Sequence, residues 1–424
     1  MGQTPKDLQP TRSVLHFLGA EIRRLRLGAG MSQADLGKAL FVHKDLIRRV
    51  EAAERTPSDD LVEQCDATLG ANGRLHRLLP MLQRERVLRP ARDVGGAASG
   101  FRSEATDRPV LDWLLSTAPV RRSDAADQHA AADQLRVLRE ADHRHGAGLT
   151  YPGLARTLAE SLEALTRCAP QVAVGYLELA GYEAVDLGND GMAQQRYLRA
   201  LEIATGAGDR LYGGYLIAVS LGHLALHCGD PEQAARLARA SLRGIGTAAT
   251  PAIRAACRTV LARAHARRGE RVACAAALLL AERDLARSRR SEEPSWIAYF
   301  GEADLGDERA HCFFDLGLHA PAQREAAQAV AALEPHRIRR KAIDSALSTA
   351  SLARSRQVDH ACAMARQAID HATAISSFRS AHRIVLMLAE LQPYSDQPEV
   401  RDVVEYAHTR LPVLVNPAMT SPPS

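Results

Sequence analysis

Between Leu15 and Leu82 the apolar residues recur every three or four positions in short runs broken by turn residues, the period of helices that bury one face. LHFLGAEIRRLRL predicts a first helix, stopped at Gly28-Ala29-Gly30 where a left-handed residue can end it. Ser32, with Asp35 three residues on, has the spacing of a capping box and opens a second helix, Gln33 to Leu40. After Phe41-Val42-His43 a third helix runs from Lys44 to about Ala53, with Ile47 and Val50 pointing inward beside Leu36. Pro57-Ser58 restarts the chain, and Ser58 caps a fourth helix whose first turn carries Asp59 and Asp60, the charge a helix N-terminus favours. A fifth helix is expected from Arg74 to Leu82.

The pattern then stops. RPARDVGGAASGFRSEATDRP has no apolar period, and its glycine, alanine, serine and proline predict a flexible linker over residues 91–124. Within it VLDWLL, residues 110–115, is too apolar to leave in water, so Trp113 is expected to dock on a neighbouring domain. From Ala125 to Leu411 helical periodicity resumes with internal repeats. Turns align at Gly188, Gly229, Gly269, Gly317 and Arg356, spaced by 41, 40, 48 and 39 residues. Five positions after each comes a small residue (Ala193, Ala234, Cys274, Ala322, Ala361), and twelve after comes another (Ala200, Ser241, Ala281, Ala329, Ala368). Small side chains at fixed phase let paired helices approach closely, and each pair must stack on its neighbours to bury its apolar face. The expected fold class is all-α: a five-helix domain over 13–90, then a helical solenoid over 125–411, with residues 1–12 and 412–424 disordered.

Composition agrees. Apolar residues are 46%, charged residues 25% and aromatics only 4%, which excludes a mainly disordered chain and argues against an all-β one. No apolar run is long enough to span a bilayer and the first residues lack the apolar core of a secretory signal, so a cytoplasmic protein is expected. The seven cysteines are far apart with no C-x-x-C pair and read as small buried hydrophobes. Charge adds a new fact. Residues 1–90 hold 15 Lys+Arg against 11 Asp+Glu, while the rest is balanced at 39 against 39, so the whole excess of +4 sits at one end, where an acidic partner is expected.

The run GMSQADLGKALFVHKDLIRRVEAAERTPS resembles the Cro/CI-like (XRE) helix-turn-helix family: a small residue, S-Q, a leucine, a turn, a second helix ending in glutamate, then Pro-Ser. Gln33, Leu36, Ile47, Glu51 and Pro57 carry the match, whereas Phe41 and Ala53 stand where that family often has glycine. The resemblance implies binding to double-stranded DNA, the third helix lying in the major groove where arginine can pair with guanine. It assigns His43, Lys44, Asp45, Arg48 and Arg49 to the reading face, Gln33 and Arg55 to phosphate, and Arg26 with Glu51 to a structural ion pair that sets the angle between helices. One such domain buries only about 600 to 1,000 Å² on DNA, so a homodimer reading two half-sites about 34 Å apart is expected.

The repeats resemble the tetratricopeptide family, most clearly in LGHLALHCGDPEQAARLARASL, although their period is longer. That resemblance implies a curved groove lined by the first helix of each pair. Its positions fall on Glu178, Tyr182 and Asp186, on His223 and His227, on Arg263 and Arg267, on Asp307 and His311, and on Arg354. Asn189, in a turn, is the only asparagine of the repeats, which weakens capture of a peptide backbone; arginine and histidine could hold a carboxylate instead. A small ligand, a peptide or a protein remains open as the occupant. His223 and His227 stand four apart with no clear third ligand, so no metal is expected, and the absence of a P-loop, dinucleotide fingerprint or nucleophile elbow predicts neither enzyme nor cofactor. The expectation is a dimeric transcriptional regulator that senses a signal through its repeats; the alternative is an interaction scaffold in which the DNA domain is a tether.

Overall fold

The computed structural model of the chain describes residues 14–55, 57–71, 73–79, 100–116 and 125–411, and every regular element among the described residues is helical. Two compact units result, residues 1–97 with 404–424 and residues 98–403.

In the first unit four helices follow the predicted punctuation: α1 (Val14–Gly28), α2 (Gln33–Ala39), α3 (Lys44–Glu51) and α4 (Asp59–Thr68). Ser32 and Asp35 form the reciprocal capping box, and the Ser58 hydroxyl accepts from the Leu61 amide. Leu18, Ile22, Leu36, Ile47, Val62 and Leu75 fill one core. Glycine brings the helices close: a Cβ on Gly19 would lie 2.6 Å from the Val50 carbonyl oxygen, and one on Gly37 would lie 2.8 Å from that of Val42. The expected fifth helix is instead a 3-10 turn at His76–Leu78, and residues 80–82 lie outside the described residues.

Phe41 and Ala53, the two departures from the helix-turn-helix pattern, both adopt left-handed backbone, at φ 52° and 55°. The turn geometry is therefore kept at the expense of strain between Cβ and the backbone, about 1 to 2 kcal/mol per residue. Phe41 is 97% exposed and has no packing to lose. Phe41→Gly is expected to stabilise this unit by about 1 kcal/mol, read as a higher urea midpoint for residues 14–79; a lower midpoint contradicts the strain.

In the second unit the expected linker is not irregular throughout. Ser103–Thr106 is a 3-10 turn and α5 (Asp107–Leu115) a helix, because Val110 and Trp113 find apolar cover. Other parts of the 91–124 expectation, and the tails at 1–12 and 412–424, lie outside the described residues.

Thereafter helices pair: α6 (Ala125–His145) with α7 (Ala147–Cys168), and α8 (Pro170–Asp186) with α9 (Asp190–Gly206). The next inner helix, α10, covers residues 210–227 with a π-helical turn at Leu216–Leu221, and packs on α11 (Pro231–Ile245). Then follow α12 (Pro251–Arg267) with α13 (Arg271–Leu285), α14 (Glu302–Asp315) with α15 (His319–Ala332), and α16 (Ile338–Arg354) with α17 (Val358–Thr373). Last comes α18 (Phe378–Leu391), followed by α19 (Pro398–Arg410), of which only the residues up to 403 belong to this unit.

All five aligned turn residues have positive φ, four of them glycine and the fifth Arg356 at 59°. Each turn repeats one bond, from the amide after the left-handed residue to a carbonyl five residues back, as from Asn189 to Ala184 and Asp230 to Ala225, both 2.8 Å. The ten small residues at the two fixed phases are all buried. Cysteine departs from expectation in part, since Cys168 and Cys228 are exposed at helix C-termini.

The stack does not stay open. Its first and last pairs meet, where the Ser376 amide donates to the His145 carbonyl (2.9 Å) and the Gly148 amide to the Ser376 carbonyl (3.0 Å). Buried Arg339 of α16 reaches across to Asp142 of α6 (2.5 Å) and Asp186 of α8 (3.1 Å), and the Ser377 hydroxyl donates to Asp186 (2.5 Å). The repeats thus close into a ring whose inner helices are α6, α8, α10, α12, α14, α16 and α18.

Candidate nucleic-acid interface and central cavity

Amphipathic α3 buries Ile47 and Val50 against Leu36 and leaves Lys44, Arg48 and Arg49 in water. Asp45 sits between the two arginines, accepting from Arg48 Nε at 2.9 Å and facing Arg49 Nε at 3.2 Å, while Arg48 also reaches Glu54 at 3.2 Å. The Arg48 hydrogen bond holds the Asp45 carboxyl below its ordinary range. Such exposed pairs contribute little, so the arginines can exchange them for phosphate or base edges at small cost. His43 has an added role the sequence did not indicate: its Nδ1 accepts from the Asp45 amide and caps α3. Arg55 is exposed beyond the helix.

Arg26 and Glu51 form the expected pair, in bidentate geometry at 2.5 and 3.0 Å, with 6% and 2% of their surfaces exposed. Arg26 Nη1 further donates to the Met31 carbonyl at 2.7 Å. Gln33 was expected to reach phosphate, yet its Nε2 donates to Glu51 at 2.8 Å, since the α2 N-terminus lies over the pair. That hydrogen bond braces α1, α2 and α3 together.

Inside the ring is a cavity of about 650 Å³. Eight of the ten expected groove residues line it: Glu178 and Tyr182, His223 and His227, Arg263 and Arg267, Asp307 and His311. The other two do not. Asp186 is fully buried in the ring closure with Arg339, and Arg354 points outward to Glu390 at 2.5 and 2.9 Å. Closure of the stack explains Asp186, which it draws onto Arg339 and Ser377, whereas Arg354 is held aside by Glu390 of the neighbouring α18.

Several lining groups escaped the sequence reading. The third turn spacing, Gly269 to Gly317, is the long one, and the surplus between α13 and α14 carries Trp296, Tyr299 and Phe300 into the cavity. Trp296 stacks on Tyr212 at 4.3 Å and 7°, and the Tyr215 and Tyr299 hydroxyls share a 2.8 Å hydrogen bond. Arg139 of α6 bonds Glu178 at 2.9 Å. Arg379 and Arg383 enter from α18, which the groove positions had not included.

The interior charges are mostly paired. Glu308 accepts from Arg263 and lies against His223, both at 3.0 Å, and these neighbours hold its carboxyl well below the usual range despite burial. Burial and the nearby Arg263 keep His311 neutral, its ring depressed far below the ordinary value. Asp307, His311 and Asp344 bring potential ligand atoms within 4.8 Å of one another. Arg340, at 3.0 Å from Asp307 and 3.7 Å from Asp344, already supplies the positive charge there.

A family described as "Helix-turn-helix domain" matches residues 18–79, the segment that contains α2, α3 and the Arg26–Glu51 pair. Residues 18–79 are thus a helix-turn-helix domain, a DNA-binding class of module, on an otherwise all-helical chain. No curated protein and no solved structure matches the chain.

Proposed function

We propose that the protein is a sequence-specific, DNA-binding transcriptional regulator of the Cro/CI-like type whose tetratricopeptide-like ring senses a small ligand. The observation that carries this reading is α3, a basic helix fixed on a helix-turn-helix core with Lys44, Arg48 and Arg49 free of the interior. Arg48 and Arg49 read bases, with His43, Lys44 and Asp45 beside them, and Arg55 meets phosphate. A homodimer presents two such helices to successive major grooves. No catalysis is required of the ring.

Two features favour a small ligand over a protein bound to the repeats as a scaffold: the inner wall is closed on itself, and its cavity has the volume of an ordinary small-molecule site. Signal transfer rests on α10. One side of it presents Tyr212, Tyr215 and Val219 to the cavity; the other receives α5 at Gly213 and Gly214. The π-helical turn at Leu216–Leu221 is the irregular element between them. A ligand that fits one setting of this helix better than another shifts the population, which is the only way it can act.

The test is Arg48→Glu combined with Arg49→Glu in the full chain. Affinity for selected operator DNA is expected to fall on the order of a hundredfold or more, with unchanged circular dichroism and melting. Wild-type binding should weaken steeply with salt. Unchanged affinity for duplex DNA at low salt overturns the reading.

A further inference from the structure

The ring cavity gathers aromatic rings at one end, beside the Arg139–Glu178 pair, and incompletely paired basic groups at the other. Tyr212, Tyr215 and Trp296 lie on or against the first turns of α10, whereas His223 and His227 lie on its last turns, about 16 Å away for eleven residues of helix. On α12 the same order holds, Ala256 and Thr259 first and then Arg263 and Arg267. At the basic end α12 and α18 together contribute four guanidinium groups, Arg263, Arg267, Arg379 and Arg383.

These four are not equally satisfied. Arg267 pairs with Asp315 at 2.9 Å, and Arg263 shares Glu308 with His223, leaving its own buried Nε without a partner. Arg379 Nη2 donates to the Tyr182 hydroxyl at 2.7 Å, but its Nε is 3.8 Å from Asp186, too far for a hydrogen bond, and is also buried without one. Arg383 has no carboxylate at ion-pair distance among the described residues. Burial, and then Arg263, Arg379 and Arg267 around it, push the Arg383 guanidinium down to about 10. Gathering like charges and buried donors without acceptors costs stability, and an anion would relieve both. At the aromatic end a third buried donor, Trp296 Nε1, also lacks an acceptor.

From this arrangement we infer that the ring cavity is a binding site for a small organic anion, its carboxylate, phosphate or sulfonate held by Arg263, Arg379 and Arg383 and its flat apolar body lying along Tyr212, Tyr215 and Trp296. The inference names the ligand class for the sensing role proposed above and rests on that reading only for its regulatory meaning. An anion bridging α12 and α18 would tie the middle of the ring to its last repeat, while its apolar body would bear on α10, the helix against which α5 docks.

The probe is 1-anilinonaphthalene-8-sulfonate, a flat aromatic anion, titrated by fluorescence into the full-length protein beside its uncharged analogue N-phenyl-1-naphthylamine. Saturable one-site binding of the sulfonate is expected, with the uncharged analogue weaker by about tenfold or more. Arg383→Gln should weaken the sulfonate by about tenfold, leave the uncharged analogue unaffected, and leave the melting temperature equal or higher because repulsion is relieved. Arg383→Lys should restore part of the affinity. Naphthalene carboxylate and naphthyl phosphate, used as competitors, identify the preferred acid group. Equal binding of charged and uncharged probes, or indifference of the sulfonate to Arg383→Gln in a folded protein, overturns the inference. DNA binding is measured separately: if the probe behaves as expected yet never alters operator affinity, the anion site stands and the sensing role fails.

Discussion

Glu51→Ala is expected to destabilise the helix-turn-helix unit by about 3 to 5 kcal/mol, a large part of the roughly 5 to 15 kcal/mol that holds a domain folded. The loss is not the net worth of one ion pair. Glu51 receives both Arg26 Nε and Nη2 and also Gln33 Nε2, at a place where almost no surface reaches water. Its removal strands a guanidinium in the core and releases the N-terminus of α2, the helix that sets the angle of α3. Glu51→Gln keeps the shape and part of the hydrogen bonding, so its cost should fall between. Replacing both Arg26 and Glu51 with methionine should recover much of the stability, because the penalty arises from the unpaired charge. Hydrogen exchange of peptides from residues 14–79 in the full chain reads the opening directly. Protection in Glu51→Ala within about 1 kcal/mol of wild type would show that the pair does not hold the unit together.

What the sequence disclosed follows from the range of the interactions. Caps, turn residues and inward leucines act over three to five positions, and so Ser32, Ser58 and the five repeat turns could be placed by reading along the chain. Arg26 and Glu51 are 25 residues apart, and only the family resemblance joined them. Ring closure was beyond either kind of reasoning. The contacts that make it, Arg339 with Asp142 and Ser377 with Asp186, join residues nearly 200 positions apart and leave no periodic trace. Because an open groove was expected, Asp186 was assigned to a wall it does not reach, and Arg379 and Arg383 on the last repeat were overlooked. One signal was available: the lengthened interval before Gly317 marked the insertion that carries Trp296.

Trp113→Ala should release α5 from the ring, at a cost of about 3 to 5 kcal/mol for a buried tryptophan. The indole is 1% exposed and seated among three glycines: a Cβ on Gly213 or Gly244 would collide with its ring, and one on Gly214 would press against it at 3.3 Å. Arg210 covers it, with the guanidinium 4.9 Å from the ring centroid. The same guanidinium donates to the Gly244 carbonyl at 2.6 Å and, at 3.3 Å, to the carbonyls of Trp113, Leu114 and Ser116, so it fastens the open C-terminal end of α5 to the α11 terminus. A nine-residue helix is too short to persist alone in water, so undocking and unfolding are one event. The N-terminal side is held separately, by two hydrogen bonds between Gln194 and the Arg102 backbone at 2.9 and 2.6 Å, and should stay attached. Amide protection is therefore expected to vanish over 107–115 and to remain in α10 and α11. Gly244→Val attacks the socket from the opposite side and should give the same local loss while Trp113 is intact. If both variants keep α5 protected, the segment is not held by this socket. If α5 is released and operator affinity no longer responds to any ligand of the cavity, then α10 and α5 are the path by which the ring reaches the DNA-binding end of the chain.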